Sequence, residues 1–166
     1  MATALKNLSE FSTEGLTDVR DKTFALLVSE WNPQVTEALC DGAVRTLLAH
    51  GAQSENLIRK NVPGSYELSL GAQWMAMRRD VDAVICLGCV IQGETRHFDF
   101  ICQAVATGLT EVSLKYNKPV IFGVLTPNTQ QQALDRAGGK HGNKGDEAAV
   151  AAIKMLNFFI LNKVDN

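Results

Sequence analysis

A histidine, a threonine and a freely bending glycine stand within five residues of one another in Gly93-Glu94-Thr95-Arg96-His97-Phe98-Asp99-Phe100. The stretch follows Ala83–Ile91, a continuous apolar run that reads as a fully buried strand, and precedes Ile101–Tyr116, which reads as a helix. His97 therefore falls in the first turn of a helix, just past the end of a central strand. Open α/β sheets bind their ligands at that place. Amides at a helix start hold anions, Gly93 frees the backbone to approach one, and Thr95 offers a hydroxyl. The helix dipole disfavours an imidazolium at His97 and a bound anion favours it, and such opposition suits a proton shuttle. This corner reads as an anion site with an acid–base residue beside it. A lone histidine is more often structural, so the case rests on those neighbours.

Three further positions share the sheet edge where the loops after each strand gather. Trp31 stands where the chain leaves the first strand and reads either as a core or interface tryptophan or as a flat platform for a heteroaromatic ring. Glu67 opens a helix, either as an acid favoured by the dipole or as an acceptor for ligand hydroxyls and ring N–H groups. Arg136 precedes the glycine-rich loop Gly138–Gly145, which also carries Lys140 and Lys144. The loop lacks the Gly-Lys-Ser/Thr ending of a P-loop, leaving a solvated basic loop or the second half of an anion site with Arg136 as its guanidinium fork. His50, at a helix end, and His141, in a loop, are assigned to solvent.

Elements that position these residues follow from periodicity. Thr23–Ser29 is a short buried strand. Asn32 is a candidate cap and Pro33 suits the first turn of a helix carrying Val35, Leu39, Ala43 and Leu47, closed by Gly51. Leu57–Val62 is the second strand. The next helix has two apolar faces, Leu68/Ala72/Met75 and Leu70/Trp74/Met77, one more than a single core requires. Phe98, Ile101, Val105, Leu109, Val112 and Tyr116 form one stripe after strand three. Pro119–Leu125 is the fourth strand, followed by a short helix to about Arg136. A last helix buries Ala149, Ala152, Ile153, Leu156 and Ile160. The alternation predicts an α/β fold with a four-stranded parallel sheet and helices on both faces, a three-layer α/β/α sandwich.

The chain has 166 residues, 46% apolar and 20% charged, with a net charge of −2. One domain is expected over residues 23–166, with residues 1–22 an arm ordered against another subunit. No apolar run reaches membrane-spanning length, no secretory h-region opens the chain, and no basic block offers an electrostatic footprint for nucleic acid. Of four cysteines, Cys86 and Cys89 make a C-x-x-C spacing. A zinc site needs a second ligand pair, and a redox pair opens a helix rather than ending a strand. All four read as small buried hydrophobes in a reducing cytoplasm.

Five pieces, in order and at consistent spacing over roughly Phe24 to Ile160, carry a resemblance. They are Ser29-Glu30-Trp31-Asn32, Val62-Pro63-Gly64-Ser65-Tyr66-Glu67, Leu87 through Asp99, Phe122-Gly123-Val124-Leu125-Thr126 and Arg136 through Gly145. On these the chain resembles the 6,7-dimethyl-8-ribityllumazine synthase family of riboflavin biosynthesis, which has a flavodoxin-like sheet. The resemblance implies a transferase that condenses 5-amino-6-(D-ribitylamino)uracil with 3,4-dihydroxy-2-butanone 4-phosphate, giving the lumazine, phosphate and water, with no metal or redox cofactor. It implies that Trp31 stacks on the pyrimidine, that Ser65, Tyr66 and Glu67 meet the ring and ribityl chain, and that backbone of Cys89, Val90 and Ile91 borders the uracil. Phe122 closes the pocket, Glu94 and Thr95 hold the phosphate, Arg136 neutralises it, and His97 transfers protons.

The resemblance further implies homopentamers whose sites lie between subunits, Phe122 and Arg136 coming from the neighbour. An icosahedral 60-mer of twelve pentamers is expected, because the Arg136–Asn143 loop lacks the extra residues of some pentamer-only members. An enclosed riboflavin synthase is a candidate partner. Three positions depart from the family pattern. Gln92 stands where arginine is common, Cys89 replaces a small or hydroxyl residue, and Arg96 adds a charge beside His97. Two other readings stay open. A flavin carrier of the same fold would need a Ser/Thr/Gly-rich loop after strand one, which Glu30-Trp31-Asn32-Pro33 lacks. An inactive lumazine-binding or shell-forming protein would have no need to keep His97, Glu67 and Arg136.

Overall fold

In the computed structural model, which describes residues 18–162, strands alternate with helices as the apolar pattern requires. Strand β1 is Phe24–Ser29, α1 Pro33–Ala49, β2 Leu57–Val62, α2 Leu68–Ala76, β3 Ala83–Cys89, α3 His97–Tyr116, β4 Val120–Leu125, α4 Gln130–Asp135 and α5 Lys144–Asn162. A two-stranded hairpin, β5 (Ala137–Gly139) with β6 (Gly142–Asn143), separates the last two helices. The residues read as an N-terminal arm lie outside the described residues except for 18–22, of which Val19 is buried in the core.

The four long strands are all parallel, in the order β2-β1-β3-β4. This is the flavodoxin-like sheet. β1 and β3 are buried at every position because both of their faces are covered. Phe24, Leu26, Val28, Ile85 and Leu87 point into one apolar cluster with α1 and α5. Ala25, Leu27, Val84 and Cys86 point into the opposite cluster with α2 and α3. The two-residue period of a strand thus divides one buried run between two cores, completing the three-layer sandwich. At the edge, β2 is exposed at Arg59, Lys60 and Asn61, and Arg59 is held by Glu37 at 2.6 Å.

Several local expectations change. β3 stops at Cys89 rather than Ile91, because its partners end there: Cys89 pairs with Leu125, the last residue of β4. Beyond it only isolated bonds continue, Val90 N–H to the Leu125 carbonyl at 2.8 Å and Gln92 N–H to the Pro127 carbonyl at 2.9 Å. α3 begins at His97, which keeps the histidine in the helix's first turn as expected, ahead of the apolar run from Ile101. Part of the glycine-rich loop is the β5–β6 hairpin, where Gly138 and Gly142 adopt left-handed backbone angles (φ 101° and 80°). No apolar alternation marks such short glycine strands. Asn32 stands at the start of α1 but makes no capping bond. Its side chain instead donates to the Cys89 carbonyl at 3.1 Å, with its backbone in the left-handed region. His50 is not free in solvent, since its Nδ1 lies 2.7 Å from the Thr46 carbonyl oxygen in a half-buried setting. His141 is partly buried as well. Ile160 is exposed because α5 has by then run past the end of the sheet's core.

Candidate active site

The order β2-β1-β3-β4 reverses the direction of winding between β1 and β3. The loops leaving those strands therefore diverge and open a crevice at their carboxyl ends. A cavity of about 1030 Å3 occupies that crevice. Its walls are Trp31 and Asn32 after β1, Gly64 to Glu67 after β2, Cys89 to Ile91 and His97 after β3, and Phe100, Ile101 and Ala104 on α3. Eight of the residues singled out in the sequence meet here: Trp31, Ser65, Tyr66, Glu67, Cys89, Val90, Ile91 and His97.

Each wall has a local cause. Trp31 is 72% exposed, so it is not a core tryptophan within this chain. It is held by Asn32, whose amide ties the β1–α1 corner to the end of β3. Asparagine tolerates the left-handed conformation at that corner. Gly64 sits between the indole and the Glu67 carboxylate. A Cβ on it would lie 3.1 Å from Glu67 Oε2 and 3.3 Å from Trp31 Cδ1. The absent side chain lets an aromatic platform and an acceptor approach each other. Ser65 is buried and Tyr66 exposed. Cys89 is buried, and burial pushes its thiol up to about 11, so at neutral pH it is a neutral, weakly reactive group. Cys86 is pushed up further by complete burial. The two cysteines face opposite cores, three residues apart along a strand, so they form no chelating pair. Cys40 is raised chiefly by burial, and Cys102 likewise.

His97 is exposed, on the first turn of α3, and its backbone N–H points to Thr95 Oγ at 3.4 Å. Glu94 and Thr95 lie in the exposed loop before it and do not line the cavity. Arg96 stacks over Phe100, its guanidinium carbon 5.6 Å from the ring centroid. Within this chain, Phe122 and Arg136 stand away from the crevice. Phe122 is on β4, packed against the core shared with α2 and α3. Arg136 is half-buried, donating to Glu147 at 2.6 Å and to the His141 carbonyl at 2.6 Å. Lys144 reaches the same Glu147 at 3.2 Å. Asn32 and Gly64 lie in the strand-end loops expected to gather here but were given no role, and Phe100, Ile101 and Ala104 were not assigned to the site. Phe100 closes the histidine stretch, which was its one signal.

Residues 21–159 match the family model described as 6,7-dimethyl-8-ribityllumazine synthase. A protein of that name from Cytophaga hutchinsonii is 65% identical over 156 residues, covering 94% of this chain and 98% of the relative. The chain belongs to the 6,7-dimethyl-8-ribityllumazine synthase family. Relatives of the same name from Parabacteroides distasonis (52% identical, 95% of this chain and 99% of the relative) and Bacteroides fragilis (54%, 84% and 99%) agree. This lumazine synthase family consists of transferases of riboflavin biosynthesis. Among the described residues, no helix is long and apolar enough to cross a membrane, and no group of three or more His, Cys, Asp or Glu stands in position to hold a metal.

Proposed function

We propose that this chain joins 5-amino-6-(D-ribitylamino)uracil to 3,4-dihydroxy-2-butanone 4-phosphate, forming 6,7-dimethyl-8-ribityllumazine, phosphate and water, the penultimate step of riboflavin biosynthesis. The observation that carries this reading is the crevice at the β1/β3 switch point. There an aromatic platform, a carboxylate and a histidine face one space at the carboxyl ends of the strands. Trp31 stacks on the pyrimidine, Glu67 accepts from ribityl hydroxyls beside Ser65 and Tyr66, and the Cys89–Ile91 backbone borders the uracil. Glu94 and Thr95 hold the phosphate next to His97.

The chemistry asks mainly for placement. The primary amine attacks the ketone, and loss of water gives an imine. Phosphate leaves, the resulting enol becomes a ketone, and the ribitylamino nitrogen closes the ring with loss of water. No step transfers electrons to or from an external carrier, so the reaction calls for no redox cofactor. Holding two reactive partners together supplies ~7–11 kcal/mol at most. Proton transfer by His97 adds about 10²–10⁴-fold.

Phe122 and Arg136 complete the site from a neighbouring subunit in a homopentamer, and pentamers build an icosahedral 60-mer with room for an enclosed riboflavin synthase. Support comes from apolar side chains that the single chain leaves open. Leu70 and Trp74 on α2 and Met77 just past its end are between 51% and 59% exposed, and Phe158, Phe159 and Leu161 on α5 are also uncovered. The single domain, residues 23–166, carries this machinery, and its core also takes in Val19 from the preceding segment. The compartment is the cytoplasm. The test is an absorbance assay with the two authentic substrates, in which lumazine must form. Absence of product from folded protein would favour a binding or shell-forming role instead. Light scattering would reject the shell on finding a stable pentamer alone.

A further inference from the structure

Arg136 and Lys144 flank a hairpin whose last residue, Asn143, is buried and bonded to two helices. Asn143 ends the hairpin, pairing with Ala137 across it, and is only 6% exposed. Its Nδ2 donates to the Ala38 carbonyl of α1 at 2.8 Å. Its Oδ1 accepts from the Gly145 N–H, at the start of α5, at 2.7 Å. One side chain thus joins α1, the hairpin and α5. On one side of it the backbone N–H of Lys144 donates to the Arg136 carbonyl at 2.9 Å. On the other side, Arg136 and Lys144 both converge on Glu147.

The surroundings are shaped to the amide. A Cβ on Gly42 of α1 would stand 2.7 Å from Cγ, Nδ2 and Oδ1 of Asn143. A Cβ on Gly145 would fall inside the Leu39 carbonyl. Two glycines, a hundred residues apart in the chain, therefore leave space for this docking. Both polar atoms of the amide are used in a buried setting, where an unmade bond costs most.

We propose that Asn143 is a positioning residue for phosphate recognition. By fixing the hairpin and the start of α5 to α1, it sets where Arg136 and Lys144 stand to meet the anionic substrate. This rests on the reading of Arg136 as the phosphate-neutralising group. It adds that the geometry of that group is set from α1, through a side chain that never meets the ligand.

The test uses Gly42→Ala, which pushes on the amide from α1 and touches neither cation, together with Asn143→Ala and Arg136→Ala. KM for each substrate and kcat are measured on the assembled protein, with thermal unfolding alongside. Gly42→Ala and Asn143→Ala are each expected to raise KM for the phosphate-bearing ketone about five- to tenfold, leaving KM for the aminouracil within about twofold. Gly42→Ala should add little in the Asn143→Ala background, because the atoms it strikes are gone. Lower thermal stability with both KM values rising equally would reduce Asn143 to a structural residue and overturn the proposal. Should Arg136→Ala raise the ketone KM while the other two variants do not, positioning fails but the reading of Arg136 stands. If Arg136→Ala leaves the ketone KM unchanged, both fall.

Discussion

The crevice between β1 and β3 and the hairpin before α5 are built in opposite ways. At the crevice, side chains are held out and left open. Trp31, Tyr66 and Phe100 are each more than half exposed, and a Cβ on Gly93 would meet nothing within 4 Å. At the hairpin almost every polar group is engaged. Arg136 and Lys144 share Glu147, Lys140 reaches Asp135 at 3.1 Å, and Asn143 bridges three elements. The contrast teaches that one chain holds an open aromatic and carboxylate-bearing crevice but keeps Arg136 aimed at its own carboxylate, Glu147. A phosphate recruited by Arg136 has to share that guanidinium with Glu147, and the crevice receives it only if a second copy brings it there.

The sharpest way to break the contrast is steric. Gly145→Ala drives a Cβ into the Leu39 backbone, and the expected cost is about 3–5 kcal/mol or a failure to fold. Gly93→Ala is expected to stay within about 0.5 kcal/mol of the parent. Denaturant unfolding of the two variants compares them, and equal costs would remove the distinction between a packed and an open half. Next in size, His97→Ala is expected to lower kcat by about 10²–10⁴-fold while substrate binding persists. Complete loss in a variant that still binds both substrates would contradict a placement-dominated mechanism.

Arg136→Ala should raise KM for the ketone phosphate about 10- to 100-fold. It should also cost stability of about 1–3 kcal/mol, because Glu147 is only 19% exposed and loses a partner. An unchanged KM would sink the phosphate role and leave Arg136 as a purely internal ion pair. A further effect is a pH dependence at Cys89. Its thiol is raised by burial from 9.0 to about 11. The unfolded chain therefore releases that proton first as pH rises. Stability from this group is full below pH ~9 and is lost between about 9 and 11. Cys89→Ala should flatten that loss in unfolding experiments across the window, and a slope unaffected by the substitution would show that other groups carry it.

Much of the fold was legible because buried parallel strands and amphipathic helices print strong periods. Each long strand and helix lies on its apolar pattern, with differences at the ends of β3 and α5. What the periods missed was set by tertiary partners. β3 ends at Cys89 because β4 ends at Leu125, which no property of Val90 or Ile91 announces. The Asn32 amide goes to a strand end 57 residues away rather than to its own helix. The hairpin was hidden because glycine strands have no side-chain alternation. At the crevice, the strand-end argument alone brought together Trp31, Glu67, His97 and the loops of Ser65 and Cys89, and family likeness added only the roles of the last two. Phe100 escaped because it falls off the buried stripe of α3 and faces the crevice.

The central claim is that an active site is assembled from two chains, one giving the crevice and the other the cation. Mixing chains tests it most directly. Protein carrying Trp31→Ala with His97→Ala and protein carrying Arg136→Ala are denatured together, reassembled and assayed for lumazine formation by absorbance. With the ketone phosphate held below the parent KM, the account predicts activity above that of either variant reassembled alone, because some interfaces then join an intact crevice to an intact Arg136. Activity no greater than the average of the two, from mixtures shown to contain both chains in one particle, would contradict it.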